Sequence, residues 1–315
     1  MGDICVGTVL TPDPVYHARG AALAAGFPES VPVQVVNRFC SSGLMAVTVV
    51  ANQIRSGQIE IGLAVGVESM SQKYVDHSLA PSRRSQSFSF PNDSPDNGAP
   101  PQSASIGANA SAKDCLYPMG WTSENVAQDY NISRDVMDTF ATQSFRRAEH
   151  AEKSGYFTKE IVPFTVSVND KNPATGTTSR RRVTVAKDDG IRYGTTKESL
   201  LKIRSAFPQW GHGRTTGGNA SQITDGAAAV LLMTRRKAET LGLPILGKHV
   251  STAVAGTWRR SVGCSQSNVA DWDGARVVGV PPRVMGIGPV YAIPMVLKHA
   301  GIDVGDVDLF EVCPI

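Results

Sequence analysis

Cysteine is scarce: five residues in 315, at positions 5, 40, 115, 264 and 313, with no Cys-x-x-Cys pair. That spacing excludes a zinc knuckle and a disulfide framework and suits a reducing compartment. The six histidines show no His-x-x-x-His spacing, so no metal is expected. No apolar run reaches the roughly 18 residues a membrane span needs, so no membrane partner is expected. The first residues, Met-Gly-Asp-Ile-Cys-Val-Gly, lack the basic stretch of a signal peptide, and no targeting segment is read there. Charge of one sign is also lacking. Against 28 Asp and Glu stand 31 Lys and Arg, a net charge of +3, and the basic excess falls in short clusters such as Arg180 to Arg182. Such clusters suit solvated loops better than a nucleic-acid groove, so no nucleic acid is expected. No phosphate-binding Gly-x-x-x-x-Gly-Lys-Ser/Thr loop occurs. Gly286-Ile-Gly288 lacks the third glycine of a dinucleotide fingerprint and is followed by Pro289.

What remains is the composition of an ordinary globular enzyme, 41% hydrophobic and 19% charged, long enough for a large core or two domains. The chain is organised around residues 31–57. Val31 to Val36 is β-branched and apolar, which predicts a buried strand. From Ser41 the period becomes helical, with Leu44, Val47, Thr48, Ala51 and Ile54 on one stripe and Gly57 as the stop. Cys40 stands where strand turns into helix, the setting of a nucleophile elbow. A thiol there feels the helix N-terminus, which favours the nucleophilic thiolate. On these residues alone a second reading stays open, a small buried hydrophobe at a tight junction.

Further strands are expected over Ile4–Leu10, Ile61–Val67, Ala227–Met233 and Val307–Val312, with a β excursion between Ile161 and Arg192. Helices are expected over Ala18–Ala25, Ser133–Ser154 and Arg235–Leu241, the second presenting Val136, Phe140, Phe145, Ala148 and Ala151 as its apolar face. A second α/β unit starts at Ile245. This alternation predicts a layered α/β fold with mixed, mainly parallel sheets. Residues 73–93 show no period and read as a disordered loop, and residues 257–279 show no helical or strand period.

Asn37-Arg-Phe-Cys-Ser-Ser-Gly-Leu44 resembles the active-site signature of thiolases, in the peroxisomal 3-ketoacyl-CoA branch. The likeness continues in Gly62–Met70, Met119–Ala127, Thr216–Ala229 and Met285–Pro294. It implies an N-terminal thiolase domain from residues 1–72 and 222–243, an inserted loop domain over 73–221, and a partial C-terminal domain over 244–315. Residues near 73–93 and 257–279 stand where the family has shorter paths, so both are expected to be insertions, such as translated introns or an unusual splice form. The second half is expected to be incomplete, and the chain to begin inside the family's first domain.

The same resemblance implies an acetyl-CoA C-acyltransferase of fatty-acid β-oxidation that cleaves 3-ketoacyl-CoA with CoA through an acyl group on Cys40. It implies a homodimer in the peroxisome, with CoA as substrate and no cofactor. Ser221 matches the family serine that contacts the pantetheine arm of CoA, and Asn219 and Gly218 shape the same turn. Locally, Gly217 to Ser221 reads equally well as a tight turn into the next strand. Met119 and Gly120 match a block that borders the acyl pocket, where Trp121 stands in place of smaller residues and would narrow it. The family's Gly-His-Pro, Cys-x-Gly-Gly-Gly and Asn-Glu-Ala-Phe blocks are not found in the 315 residues, and neither His212 nor His299 matches them. The alternative is therefore a catalytically impaired thiolase-like fragment that binds CoA or a partner.

Overall fold

A computed structural model describes residues 1–70, 108–115, 117–171, 178–208, 213–255 and 280–312. The expected insertions at 73–93 and 257–279, and His212, lie outside the described residues. In chain order the elements are β1 (Asp3–Gly7), α1 (Pro14–Ala24), β2 (Val33–Val36), α2 (Ser42–Arg55) and β3 (Ile61–Glu68). Then come α3 (Ala110–Asp114), α4 (Met119–Asp129), α5 (Arg134–Lys153), β4 (Phe164–Lys171), β5 (Thr178–Val185) and α6 (Lys197–Leu201). The last are β6 (Gly226–Met233), α7 (Arg235–Thr240) and α8 (Gly288–Ala300). The chain divides into two compact units, Met1–Pro118 with Ile223–Ile315, and Met119–Gln222.

The first unit is built on a four-stranded sheet of order β2-β1-β3-β6, in which β1 pairs parallel with β2 and β3, and β6 closes the far edge antiparallel to β3. Every residue of β1 is buried, as befits a strand with neighbours on both sides. The period-2 alternation sorts its side chains. Ile4 and Val6 join Val33, Val35, Leu63 and Val65 under Ala18 and Ala22 of α1. Cys5 and Ala64 meet Ala46 and Val50 of α2 in a second cluster. The two helices thus cover opposite faces of one sheet.

Small residues let α2 lie close. A Cβ on Gly7 would sit 2.3 Å from the backbone carbon and oxygen of Ser42, and one on Gly62 would meet Val50 at 2.5 Å. Gly66 and Gly43 face each other, a Cβ on either falling 3.3–3.5 Å from the other's Cα. The α2 N-terminus is therefore pinned to the sheet by backbone approach, which only glycine permits at Gly7. The outer side of α2 is tied by Arg55, whose guanidinium donates to the carbonyl of Val250 at 2.6 Å, and by Thr48, whose hydroxyl meets that of Thr252 at 3.1 Å.

The second unit holds α4, α5, the antiparallel β4–β5 hairpin and α6. Ser133 caps α5 by accepting from the Val136 N–H at 3.3 Å, and Gly155 at φ 76° follows its end.

Several boundaries and faces differ from expectation. The first strand stops at Gly7 rather than Leu10, and α1 begins at Pro14, whose fixed φ suits a first helical turn. Residues 307–312 are irregular rather than a strand, and residues 243–255 carry no regular element that would open a second α/β unit. No described strand lies beside 307–312 to take up a ladder of hydrogen bonds, and a strand needs one. On α5 the expected apolar face is displaced: Val136 and Phe140 are 57% and 59% exposed, while Asp138, Ala141 and Thr142 are buried. On α2, Leu44 is exposed and Ala46 and Val50 are fully buried. The steric depth of the glycine seat selects small side chains there.

Candidate functional site

The connections decide where a reactive group can sit. From β1 the chain passes through α1 on one face to β2, and from β2 through α2 on the other face to β3. Loops leaving the carboxyl ends of β1 and β2 therefore diverge, the topology at which open α/β sheets bind ligands. Cys40 lies in the β2–α2 loop at that switch point.

Its turn is a closed mesh. Phe39 adopts a left-handed φ of 48°, uncommon for an aromatic residue and costing roughly 1–2 kcal/mol. Its N–H donates to Oδ1 of Asn37 at 3.0 Å, and its carbonyl accepts from the N–H of Ser42 at 3.0 Å and the Ser42 hydroxyl at 2.6 Å. The N–H of Arg38 donates to Ser42 Oγ at 2.9 Å, and the Arg38 carbonyl accepts from the Ser41 hydroxyl at 2.8 Å. The abrupt bend leaves the Cys40 side chain exposed, beside an exposed Phe39. The other described cysteines differ. Cys115 is exposed after α3, and Cys5 is buried under α2, its thiol pushed up to about 11 by burial and by the Asp3 carboxylate. The buried-hydrophobe reading of Cys40 does not describe this side chain.

The other expected residues all fall in the second unit. The stretch Arg214–Asn219 is anchored by carboxylates that are themselves buried. Glu124 accepts from the N–H groups of Arg214 and Thr215 at 3.1 and 2.6 Å. The Arg214 guanidinium in turn donates to the carbonyls of Ala127 and Ile132. Asn219 accepts from the Thr216 N–H at 2.8 Å and donates to Asp138 and to the Arg214 carbonyl at 2.9 and 3.1 Å. Its amide is thus engaged on both sides. Gly218 is buried, and a Cβ there would meet Ile203 and Leu200 within 2.7 Å. Ser221 is exposed just beyond the turn.

Met119 and Gly120 open α4. Met119 is 36% exposed, whereas a Cβ on Gly120 would stand 2.1 Å from the ring of the buried Phe207. Gly120 is therefore fixed by close packing. Among the described residues no three His, Cys, Asp or Glu side chains are grouped to hold a metal ion, and no helix is long and apolar enough to cross a membrane. His299 lies exposed in the last turn of α8.

Sequence reasoning assigned no role to Glu68, Asn37, Glu124 or Asp138. Glu68, Asn37 and Glu124 stand in the blocks that resemble the family, and Glu68 also ends a predicted strand. A helical Asp such as Asp138 reads as a solvated charge until its partners are placed.

Comparison with known proteins adds ancestry to this geometry. Residues 1–236 match the family model described as the thiolase N-terminal domain, and residues 266–313 match the thiolase C-terminal domain. The chain is 45% identical over 313 residues to the peroxisomal 3-ketoacyl-CoA thiolase of Yarrowia lipolytica, covering 99% of this chain and 64% of that protein. It is 46% identical over 314 residues to the peroxisomal 3-ketoacyl-CoA thiolase of Homo sapiens, covering 99% and 62%. The fold is similar to that of the dimeric peroxisomal thiolase of Saccharomyces cerevisiae, with a TM-score of 0.75 and 38% identity over 98% of this chain and 65% of the other. A human mitochondrial 3-ketoacyl-CoA thiolase gives a TM-score of 0.70 at 29% identity, covering 98% and 67%. The chain spans 62–64% of the length of these two curated relatives. With both domain models matched and the Cys40 turn at the carboxyl end of β2, the chain belongs to the thiolase family.

Proposed function

We propose that the protein works as a 3-ketoacyl-CoA thiolase, with Cys40 as the nucleophile. The observation that carries this reading is the exposed Cys40 thiol on a strained strand-to-helix turn at the carboxyl edge of the sheet. In this chemistry the sulfur attacks the C3 carbonyl of a 3-ketoacyl-CoA and the C2–C3 bond breaks. The electron pair leaves on the enolate of acetyl-CoA, which takes up a proton. The shortened acyl group stays on Cys40 as a thioester until the thiol of free CoA attacks it, releasing acyl-CoA and the cysteine. In the second half-step a thioester is exchanged for a thioester, which loses little free energy, so that half-step runs in either direction.

Within this reading the exposed Ser221 contacts the pantetheine arm of CoA, Asn219 and Gly218 hold the turn before it, and Met119 and Gly120 border the acyl pocket. The domains are residues 1–72 with 222–243, residues 73–221 and residues 244–315. The names of the relatives support a place in peroxisomal fatty-acid β-oxidation, and the dimeric yeast structure supports a homodimer.

Incubation of the full chain with acetyl-CoA tests this directly. One acetyl group on the peptide containing Cys40, absent from Cys40→Ser, is the expected result. No acetylation of Cys40 overturns the reading. Acylation without release on adding CoA, and with no thiolysis of 3-ketoacyl-CoA, selects the alternative of a CoA-binding chain that does not turn over.

A further inference from the structure

The exposed Phe39 ring cannot hold its own backbone in the left-handed region by packing, so hydrogen bonds must do so. Those bonds can be followed outward from the turn. The Phe39 N–H is held by Oδ1 of Asn37, an Asx arrangement that favours such a bend. The other end of the same amide, Nδ2, donates to the carbonyl of Val9 at 3.2 Å, on the loop that leaves β1. The N–H of Val9 donates in turn to Oε2 of Glu68 at 2.8 Å. Oε1 of Glu68 accepts from the N–H of Leu10 at 3.1 Å and from the Thr8 hydroxyl at 3.3 Å. A single carboxylate at the end of β3 thus fixes the β1 loop, and that loop fixes Asn37.

We propose that Glu68 and Asn37 are positioning residues for Cys40, acting through a relay that runs Glu68, Val9, Asn37, Phe39. This rests on the reading of Cys40 as nucleophile and deepens it. The relay joins three adjacent strands at their carboxyl ends, so it transmits the position of the rigid sheet to the one turn that carries the thiol. Both oxygens of Glu68 are required, since each takes a different backbone N–H. In Glu68→Gln one of the two N–H groups would face an amide NH2 and lose its acceptor. In Asn37→Ala the Phe39 N–H loses its acceptor, and only the Ser42 bonds to the Phe39 carbonyl remain to offset the strain of the left-handed residue. The turn that carries the sulfur then loses the position that the sheet gives it.

The test is alkylation of the full-length chain by iodoacetamide, followed peptide by peptide from neutral to alkaline pH. Cys115 serves as an exposed reference and Cys5 as a buried one. In Glu68→Gln and Asn37→Ala, Cys40 should react about two- to fivefold more slowly, the scale of one lost hydrogen bond. Cys115 should stay at its wild-type rate in both variants. Asn37→Ser, whose hydroxyl can still accept from the Phe39 N–H, should recover part of the loss. Superimposable Cys40 profiles in wild type and both variants overturn the relay. An equal change at Cys115, or reaction at Cys5, overturns it as well, because general loosening acts on all three thiols. Failure of acetyl-CoA to acylate wild-type Cys40 overturns the acyl-transfer reading and leaves the alkylation result standing.

Discussion

The amide nitrogen of Asn219 donates to Oδ1 of Asp138 at 2.9 Å, while Nε of Arg134 holds Oδ2 of the same carboxylate at 2.6 Å. Asp138 is completely buried, so a carboxylate in the second turn of α5 organises the turn that precedes Ser221. Arg134 extends the arrangement by donating to the carbonyls of Leu200 and Ile203.

Removing the carboxylate from such a buried set takes one partner from both Asn219 and Arg134. Asp138→Ala should destabilise the second unit by about 3–5 kcal/mol. Glu60→Ala, which breaks the exposed pair with Arg236, should cost under about 1 kcal/mol. Urea denaturation of the full chain, read by circular dichroism, checks both. Equal midpoints for the two variants would refute the difference.

The glycine seat of α2 makes a second expectation. Gly7→Ala places a methyl group 2.3 Å from the Ser42 backbone, so α2 must shift away from β1 at a cost of about 1–3 kcal/mol or more. Gly20 in α1 has nothing within 4 Å of its Cβ position, and Gly20→Ala should stabilise by about 0.5–1 kcal/mol. Thermal melting should move the two variants in opposite directions from wild type.

Cys5 sets an alkaline limit. Burial, helped by Asp3, raises its thiol from the ordinary 9.0 to about 11. The folded protein therefore holds this proton to a higher pH than the unfolded chain does. Its contribution to stability is complete below about 9 and is lost as pH climbs towards about 11. Urea midpoints across that window should fall more steeply for wild type than for Cys5→Ala, and parallel slopes would exclude the effect.

Much of this architecture was legible from residue pattern. The strand–helix junction at Cys40, the strand from Ile61 and the cap at Ser133 all follow from local chemistry: β-branched runs, helical spacing and a hydroxyl before a first turn. The buried face of α5 was not. Periodicity assigns the core to apolar residues, but Asp138 is stabilised inside by partners far along the chain, at Asn219, and Val136 and Phe140 turn outward. Residues 307–312 failed for a related reason, since a β-branched sequence becomes a strand only where another strand pairs with it.

Local sequence dictated that a thiol would stand at a sharp bend, because six residues of extended propensity run directly into a helical repeat. Assembly of distant segments decided the rest. It placed that bend between loops that leave opposite faces of the sheet, and it brought Glu68 to Val9 and Val9 to Asn37 across separations of 59 and 28 residues. Hydrogen bonds of that span depend on strand order and register, and neither is encoded in any one stretch of chain.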